Sequence, residues 1–285
     1  MKPMYYALFI GALIFCSCSQ LEENEALPSF LYVESFEFET TDQNQGTDAQ
    51  DLPHAWINVG GDFVGTWELP ALIPLNYEGN FPCIFNPGMI INGISTLPEI
   101  NEAMDPYRVD IELVRGETDT IRPVIRYDST TVFKLVNDFD RSAHDFREDL
   151  DGNPFTALSI SDDAFEGKAG VIRLSEEHPI ALLTHRLDFT GIPLNSNQKF
   201  LELHYKNDVP FELGIRSYDE NGNPDDEYFV GLNPSSEWKK AYIEYTDIID
   251  FFEASRMRVL IGAALPADRQ EGVIRLDNIK FLHEN

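Results

Sequence analysis

Phe36-Glu37-Phe38-Glu39-Thr40 alternates apolar and acidic side chains residue by residue. A repeat of two marks a strand with one face buried and one wet, because successive side chains point to opposite sides of the pleat. Working outward, residues 55–59 and 63–69 flank Gly60-Gly61-Asp62, which predicts a hairpin whose glycines take positive φ. On its second arm, Phe63, Gly65, Trp67 and Leu69 are expected on one face. Pro70, Pro74, Pro82, Pro87 and Pro98 exclude a long helix in the stretch they punctuate. Strands are expected at 107–114 and 121–127, followed by a boundary between Arg126 and Thr131. A second series then runs through 132–136, 170–174, 182–189, 200–205, 211–218, 228–230, 238–245, 256–264 and 273–282. Asn221-Gly222 within it is a type I′ turn signal, and Ile248, Phe251 and Phe252 space one helical turn at 247–254. The expected architecture is all-β, with an immunoglobulin-like sandwich over 28–128 and a jelly-roll sandwich over 129–285.

The 285 residues are 43% hydrophobic and 25% charged, enough apolar material for real cores. Lys and Arg number 21 against 49 Asp and Glu, a net charge of −28. Such a chain has nothing to neutralise a run of phosphates, which excludes nucleic acids and anionic lipid heads as partners. Three cysteines exclude a disulfide scaffold, and Cys83, within Phe81-Pro82-Cys83-Ile84-Phe85, reads as a small buried hydrophobe.

Lys2 precedes an unbroken apolar run from Met4 to Phe15. That is shorter than the roughly 20 residues a spanning helix requires and reads as a secretory signal. Phe15-Cys16-Ser17-Cys18-Ser19 follows, and here the chain resembles the bacterial lipoproteins, whose signal ends in a large apolar residue, small residues and an acylated cysteine. The resemblance implies a signal over 1–17 and lipidation, palmitate included, at Cys18. Acyl chains contribute about 0.8 kcal/mol per buried methylene, so two or more anchor stably. Ser19-Gln20-Leu21-Glu22-Glu23-Asn24-Glu25 resembles the acidic tether, here 18–27, of Bacteroidota-type lipoproteins displayed on the outer face of the outer membrane.

Residues 54–93 resemble small PEGA-like envelope domains, matching at Val64-Gly65 and Leu69-Pro70. In the second unit, Phe165-Glu166-Gly167-Lys168-Ala169-Gly170, Trp238-Lys239-Lys240-Ala241-Tyr242-Ile243 and Val273-Ile274-Arg275-Leu276-Asp277-Asn278-Ile279 resemble the galactose-binding-like jelly roll of carbohydrate-binding modules. That resemblance implies a buried Trp238. It also implies a possible structural calcium held by Asp277, the backbone around Gly167 and Lys168, and an acid near Asp138 or Asp140. The oxygen-rich 219–225 loop instead reads as a hairpin turn, since Pro224 stands where an EF-hand needs glycine. Sugar binding requires aromatic faces beside hydrogen-bonding groups; Tyr218, Tyr228 and Phe229 with Arg216 and Asp219 are the candidates, with Trp56 and Trp67 as alternatives.

No GxSxG, HExxH, P-loop or GxGxxG occurs, and the six histidines show no metal spacing. His204 reads as a satisfied or exposed strand histidine. The expected protein is a non-catalytic outer-membrane surface lipoprotein that binds polysaccharide. The alternative is a structural or adaptor subunit of an envelope assembly serving secretion or motility. A glycoside hydrolase would need a cleft joining two carboxylates about 5–10 Å apart.

Overall fold

A computed structural model of the chain describes residues 27–94, 98–141, 144–194, 198–219, 221–253 and 256–284. The signal 1–17, Cys18 and the tether up to residue 26 lie outside the described residues. The described chain is all-β, two sandwiches joined between Val124–Tyr127 and Val132–Asn137.

In the first lobe, Ser29–Val33 pairs in parallel with Thr118–Ile121 and antiparallel with Ala71–Leu75. The facing sheet is organised on the long strand Gly79–Ile90. It takes His54–Val59 on one edge, with Pro98–Ile100 and Tyr107–Leu113 on the other. Leu31, Val33, Ile57, Ile73, Cys83, Phe85 and Leu113 fill the space between. Burial raises the Cys83 thiol to about 11, keeping it protonated among apolar neighbours. The proline-rich stretch is thus strands, Ala71–Leu75, Gly79–Ile90 and the start of Pro98–Ile100, and Pro82 and Pro87 take part through their carbonyls: Pro82 accepts from Gly60 N–H and Pro87 from Asn101 N–H. The Gly60-Gly61 turn forms as expected, with φ of +62° and +95°. Its second arm departs from simple alternation. Ile57 pairs with Gly65 but Asn58 with Phe63, so Val64 is a bulge residue. The extra residue reverses the parity, leaving Phe63 58% exposed while Val64, Trp67 and Leu69 pack on the core.

The second lobe is a two-sheet jelly roll. One sheet centres on Glu271–His283, which pairs with Ala169–Ser175, Lys199–Asn207 and Val132–Asn137. Ser235–Glu244 continues it beyond Lys199–Asn207, and Ser159–Ser161 beyond Ala169–Ser175. The other sheet runs Glu148–Asp149, Ile180–Thr184, Arg256–Ala264, Phe211–Tyr218 and Pro224–Leu232. The expected 182–189 strand is split in two, Ile180–Thr184 and Phe189–Thr190. The helix Thr246–Phe251 seats Ile249 in the core; Phe251, expected on the buried face, is 79% exposed.

The lobes meet on the outer side of the first of these two sheets. Register sets Phe200 opposite Leu282, Glu202 opposite Lys280 and Tyr242, and His204 opposite Lys240 and Asp277. Met89, Ile91, Met104, Ile125 and Tyr127 of the first lobe cover Phe200, Tyr242 and Leu282. Beside this apolar contact lies a sealed polar cluster. Glu202, fully buried, pairs with Lys240 at 3.0 Å and accepts from Tyr127 Oη–H at 2.9 Å. Lys280 Nζ donates to the Thr47 carbonyl (2.6 Å) and to Tyr127 Oη (3.3 Å). Gln50 closes the cluster, donating to Tyr127 Oη and accepting from Tyr242 Oη–H. Burial alone would raise the Glu202 carboxyl, but Lys240 and Lys280 hold it below its ordinary value. Burial and the neighbouring Lys240 push Lys280 down to about 7.

Two consequences are measurable by chemical denaturation. Glu202→Gln leaves two ammonium groups buried without their counter-charge and is expected to remove about 3–5 kcal/mol of stability. Lys280 binds its proton less tightly folded (about 7) than its ordinary 10.5, so the unfolded chain holds more protons across that window. Its contribution to stability therefore rises with pH from about 7 upward, and Lys280→Met is expected to flatten that part of the pH profile.

Candidate functional site

With one sheet of the jelly roll covered, the outer side of the other is left to solvent. Along Phe211–Tyr218, Phe211, Leu213 and Ile215 enter the core, so Glu212, Gly214, Arg216 and Tyr218 face outward. Antiparallel register then places Arg258 opposite Arg216, Leu260 opposite Gly214 and Gly262 opposite Glu212. On the other flank, Asp226 lies opposite Arg216 and Tyr228 opposite Gly214. The strand Arg256–Ala264 contributes Arg256 and Arg258 because Met257 and Val259 alternate into the core.

The groups on this face are fixed by one another. Arg216 grips Asp226 through two hydrogen bonds of 2.6 Å each, a bidentate pair. Arg258 pairs with Asp188 at 2.5 Å and with Glu148, and Arg256 with Asp188 at 2.9 Å. The Arg256 guanidinium sits 3.7 Å from the centre of the Tyr218 ring, a cation–π stack. Tyr228 covers Gly262 so closely that a Cβ there would come within 2.6 Å of the ring. Burial, reinforced by Asp226, raises the Tyr228 phenol to about 12. Three guanidinium groups thus face Asp188, Asp226 and Glu148, and Glu212 stands beside Tyr228 as a further, exposed carboxylate. The face is no trap for a bare ion; it presents half-buried tyrosine rings among preset donors and acceptors.

The sequence candidates divide here. Arg216, Tyr218 and Tyr228 share the face. Phe229 does not: the pairing shifts between Leu213 and Gly214, and the extra residue turns Phe229 inward, edge-on to Tyr245 at 4.8 Å. Asp219 ties the turn, accepting from the N–H groups of Asn221 and Asn223 and from Asn223 Nδ2. The strands end at Tyr218 and resume at Pro224, so the connection is longer than the type I′ turn expected at Asn221-Gly222. Trp56 and Trp67 pack within the first lobe, Trp56 over Gly88 and Trp67 on the core. Trp238, expected to be buried, is only partly so. His204, expected to be satisfied or exposed, is only 3% exposed and its Nδ1 finds no hydrogen-bond partner. Arg256, Arg258, Asp188 and Glu148 were not singled out. The alternation Arg256-Met257-Arg258-Val259 was the available signal for the two arginines.

Asp140, Gly167, Lys168 and Asp277 do come together. Asp277, fully buried, accepts from the N–H groups of Phe165 (3.1 Å), Glu166 (3.0 Å) and Asn278 (2.8 Å). Asp140 accepts from Lys168 N–H at 2.8 Å. Gly167 has a φ of +51°, and a Cβ on it would meet Asp140 Oδ1 at 2.0 Å, so only glycine fits. Burial raises the Asp277 carboxyl to about 6, against the lowering effect of those N–H groups. Among the described residues no three His, Cys, Asp or Glu side chains converge as a metal set. As arranged, these carboxylates clasp a turn.

No protein-family model and no curated protein matches the chain. Among solved structures it is similar to the family 11 carbohydrate-binding module of the cellulosomal cellulase Lic26A-Cel5E of Clostridium thermocellum. The identity is 14% over 53% of this chain and 94% of that one, with a TM-score of 0.40. It is also similar to the C-terminal family 22 carbohydrate-binding module of Clostridium thermocellum Xyn10B, at 11% identity over 54% and 95%, TM-score 0.36. A structure of carbohydrate-binding modules from the β-sandwich superfamily aligns over 81% of this chain and 85% of that one, at 12% identity and a TM-score of 0.33.

If the Asp277 cluster is a turn clasp, melting curves recorded with chelator and with millimolar calcium are expected to coincide. Asp277→Ala, which strands three backbone N–H groups, is expected to cost about 1–3 kcal/mol in either condition.

Proposed function

We propose that this chain is a non-catalytic surface lipoprotein that binds a neutral polysaccharide on the outer sheet face of its jelly roll. The observation that carries the reading is the convergence of Arg216, Tyr218 and Tyr228 with Arg256 and Arg258 on one open face. A pyranose has an apolar face and an equatorial ring of hydroxyls. Half-buried tyrosine rings meet the first, and arginine–carboxylate pairs both donate to and accept from the second. The mutual pairing of the arginines and carboxylates on the face favours an uncharged ligand, and Glu212 with the −28 of the whole chain disfavours a polyanion. Lipidation at Cys18 would hold this face at the cell exterior, on the outer membrane, beside the polymer.

Affinity-gel electrophoresis in neutral polysaccharides tests the proposal. The full chain is expected to be retarded, and Tyr228→Ala or Tyr218→Ala is expected to weaken retention about tenfold, the scale of losing an interface anchor. Gly262→Val, which displaces the Tyr228 ring without removing a polar group, is expected to do the same. Absence of retardation in every polysaccharide, with envelope proteins co-purifying, would replace this reading by the adaptor one. For the anchor, palmitate is expected to label the wild type and not Cys18→Ser.

A further inference from the structure

The sheet that receives the first lobe is not covered along its whole outer side. Past the sealed Glu202 cluster it opens into a recess of about 410 Å³, lined from both lobes. Gln50 and Asp51 come from the loop ahead of His54–Val59; Phe165, His204, Trp238 and Lys239 come from the jelly roll. A second recess of about 300 Å³ shares Asp51, Lys239 and Lys240 with it, so the space continues as a groove along the lobe junction. Sites for small ligands concentrate at such junctions, in volumes of this order.

The chemistry of the recess is specific. Phe165 lies flat on His204, with ring centres 3.9 Å apart and 13° between planes, and Trp238 meets Phe165 at 6.2 Å and 68°. Burial, followed by Lys240 and Lys280, pushes His204 down to about 3, so the imidazole is neutral and the wall is an uncharged aromatic stack. Phe165 keeps 38% of its surface exposed and Trp238 is partly buried. On the rim stand two exposed groups of opposite charge, Asp51 and Lys239. An anion would meet Asp51 and a cation would meet Lys239; a hydroxylated ring donates to the first and accepts from the second. The protein leaves polar capacity unused at this place, since His204 Nδ1 has no hydrogen-bond partner.

We infer that the lobe junction is a second ligand site, on the sheet opposite the tyrosine–arginine face, which takes a neutral pyranose unit against Trp238 and Phe165. It extends the polysaccharide reading from one face to two but rests on its own residues. A chain seated there touches both lobes and braces their junction.

The test is a fluorescence titration of the detergent-solubilised full chain with cellohexaose, xylohexaose and mannohexaose, with melting curves run on each variant to check folding. The chain has three tryptophans, of which Trp56 and Trp67 are engaged within the first lobe. At least one hexasaccharide is expected to change the emission. Trp238→Phe should keep the affinity, measured by calorimetry, and lose the optical change. Trp238→Ala and the surface change Asp51→Ala should each bind about tenfold more weakly. Tyr228→Ala should leave this optical change intact. No emission change with any hexasaccharide, or unchanged affinity in both Trp238→Ala and Asp51→Ala, overturns the inference. Loss confined to Tyr228→Ala leaves the outer face standing and removes the junction site; loss confined to Trp238→Ala does the reverse.

Discussion

Two ammonium groups and one carboxylate sealed between two sheets set the terms for the rest of this molecule. Moving Glu202, Lys240 and Lys280 out of water is costly, and their mutual attraction offsets that cost only where the geometry is right and the remaining hydrogen-bonding positions are filled. Here the first lobe supplies partners to Glu202 Oε2 and Lys280 through Tyr127 and the Thr47 carbonyl, with Gln50 holding Tyr127, while Glu202 Oε1 is left without a hydrogen bond. Sliding one lobe over the other would leave these charges facing apolar Met89, Ile91 or Ile125 of the first lobe. The polar cluster therefore selects the docking pose, while the contact of Met89, Ile91, Met104 and Ile125 with Tyr242 and its neighbours supplies the hydrophobic gain.

That pose decides which surfaces remain to do work. A two-sheet sandwich has two outer sides, and the first lobe removes most of one. The other keeps an intact row of tyrosines and arginines, with glycines 214 and 262 holding the floor low so that Tyr228 can lie over the sheet. The partly covered side ends in an aromatic recess that exists only because two loops from different lobes stop short of meeting. Both places pair apolar ring surface with balanced charge, the combination suited to neutral sugars. Both are fixed in advance by contacts within the protein, which lowers the ordering cost of binding.

Much of this was legible in the chain. The alternation of Phe36-Glu37-Phe38-Glu39-Thr40, kept in burial although only Glu37–Phe38 pairs as strand, the Gly60-Gly61 hairpin and the strands Phe211–Tyr218 and Arg256–Ala264 are local patterns that a half-buried sheet imposes residue by residue. The misplacements of Phe63 and Phe229 share one cause. A single extra residue inverts every side chain beyond it, which moved Phe63 outward and Phe229 inward, and no composition announces a bulge. Proline marked the 70–98 stretch as non-helical but hid its strands, because Pro82 and Pro87 pair through carbonyls alone. His204 and Trp238 were misjudged for a different reason: whether a strand's outer face meets water or another lobe depends on residues some 150 positions away.

By itself the sequence determined the class of the fold, two β-sandwiches, and its net charge argued against nucleic acid and anionic surfaces as partners. Period, turn residues and net charge are properties of neighbouring positions and of sums. It also named three residues of the open face, Arg216, Tyr218 and Tyr228. Tertiary structure alone decided that Glu202 is buried between lysines, that Arg256 and Arg258 stand beside Tyr218, and that Trp238 and Phe165 wall a recess with Asp51. Each of these is a meeting of strands or loops distant in the chain, set by register and by lobe docking, and neither quantity is written in any local run of residues.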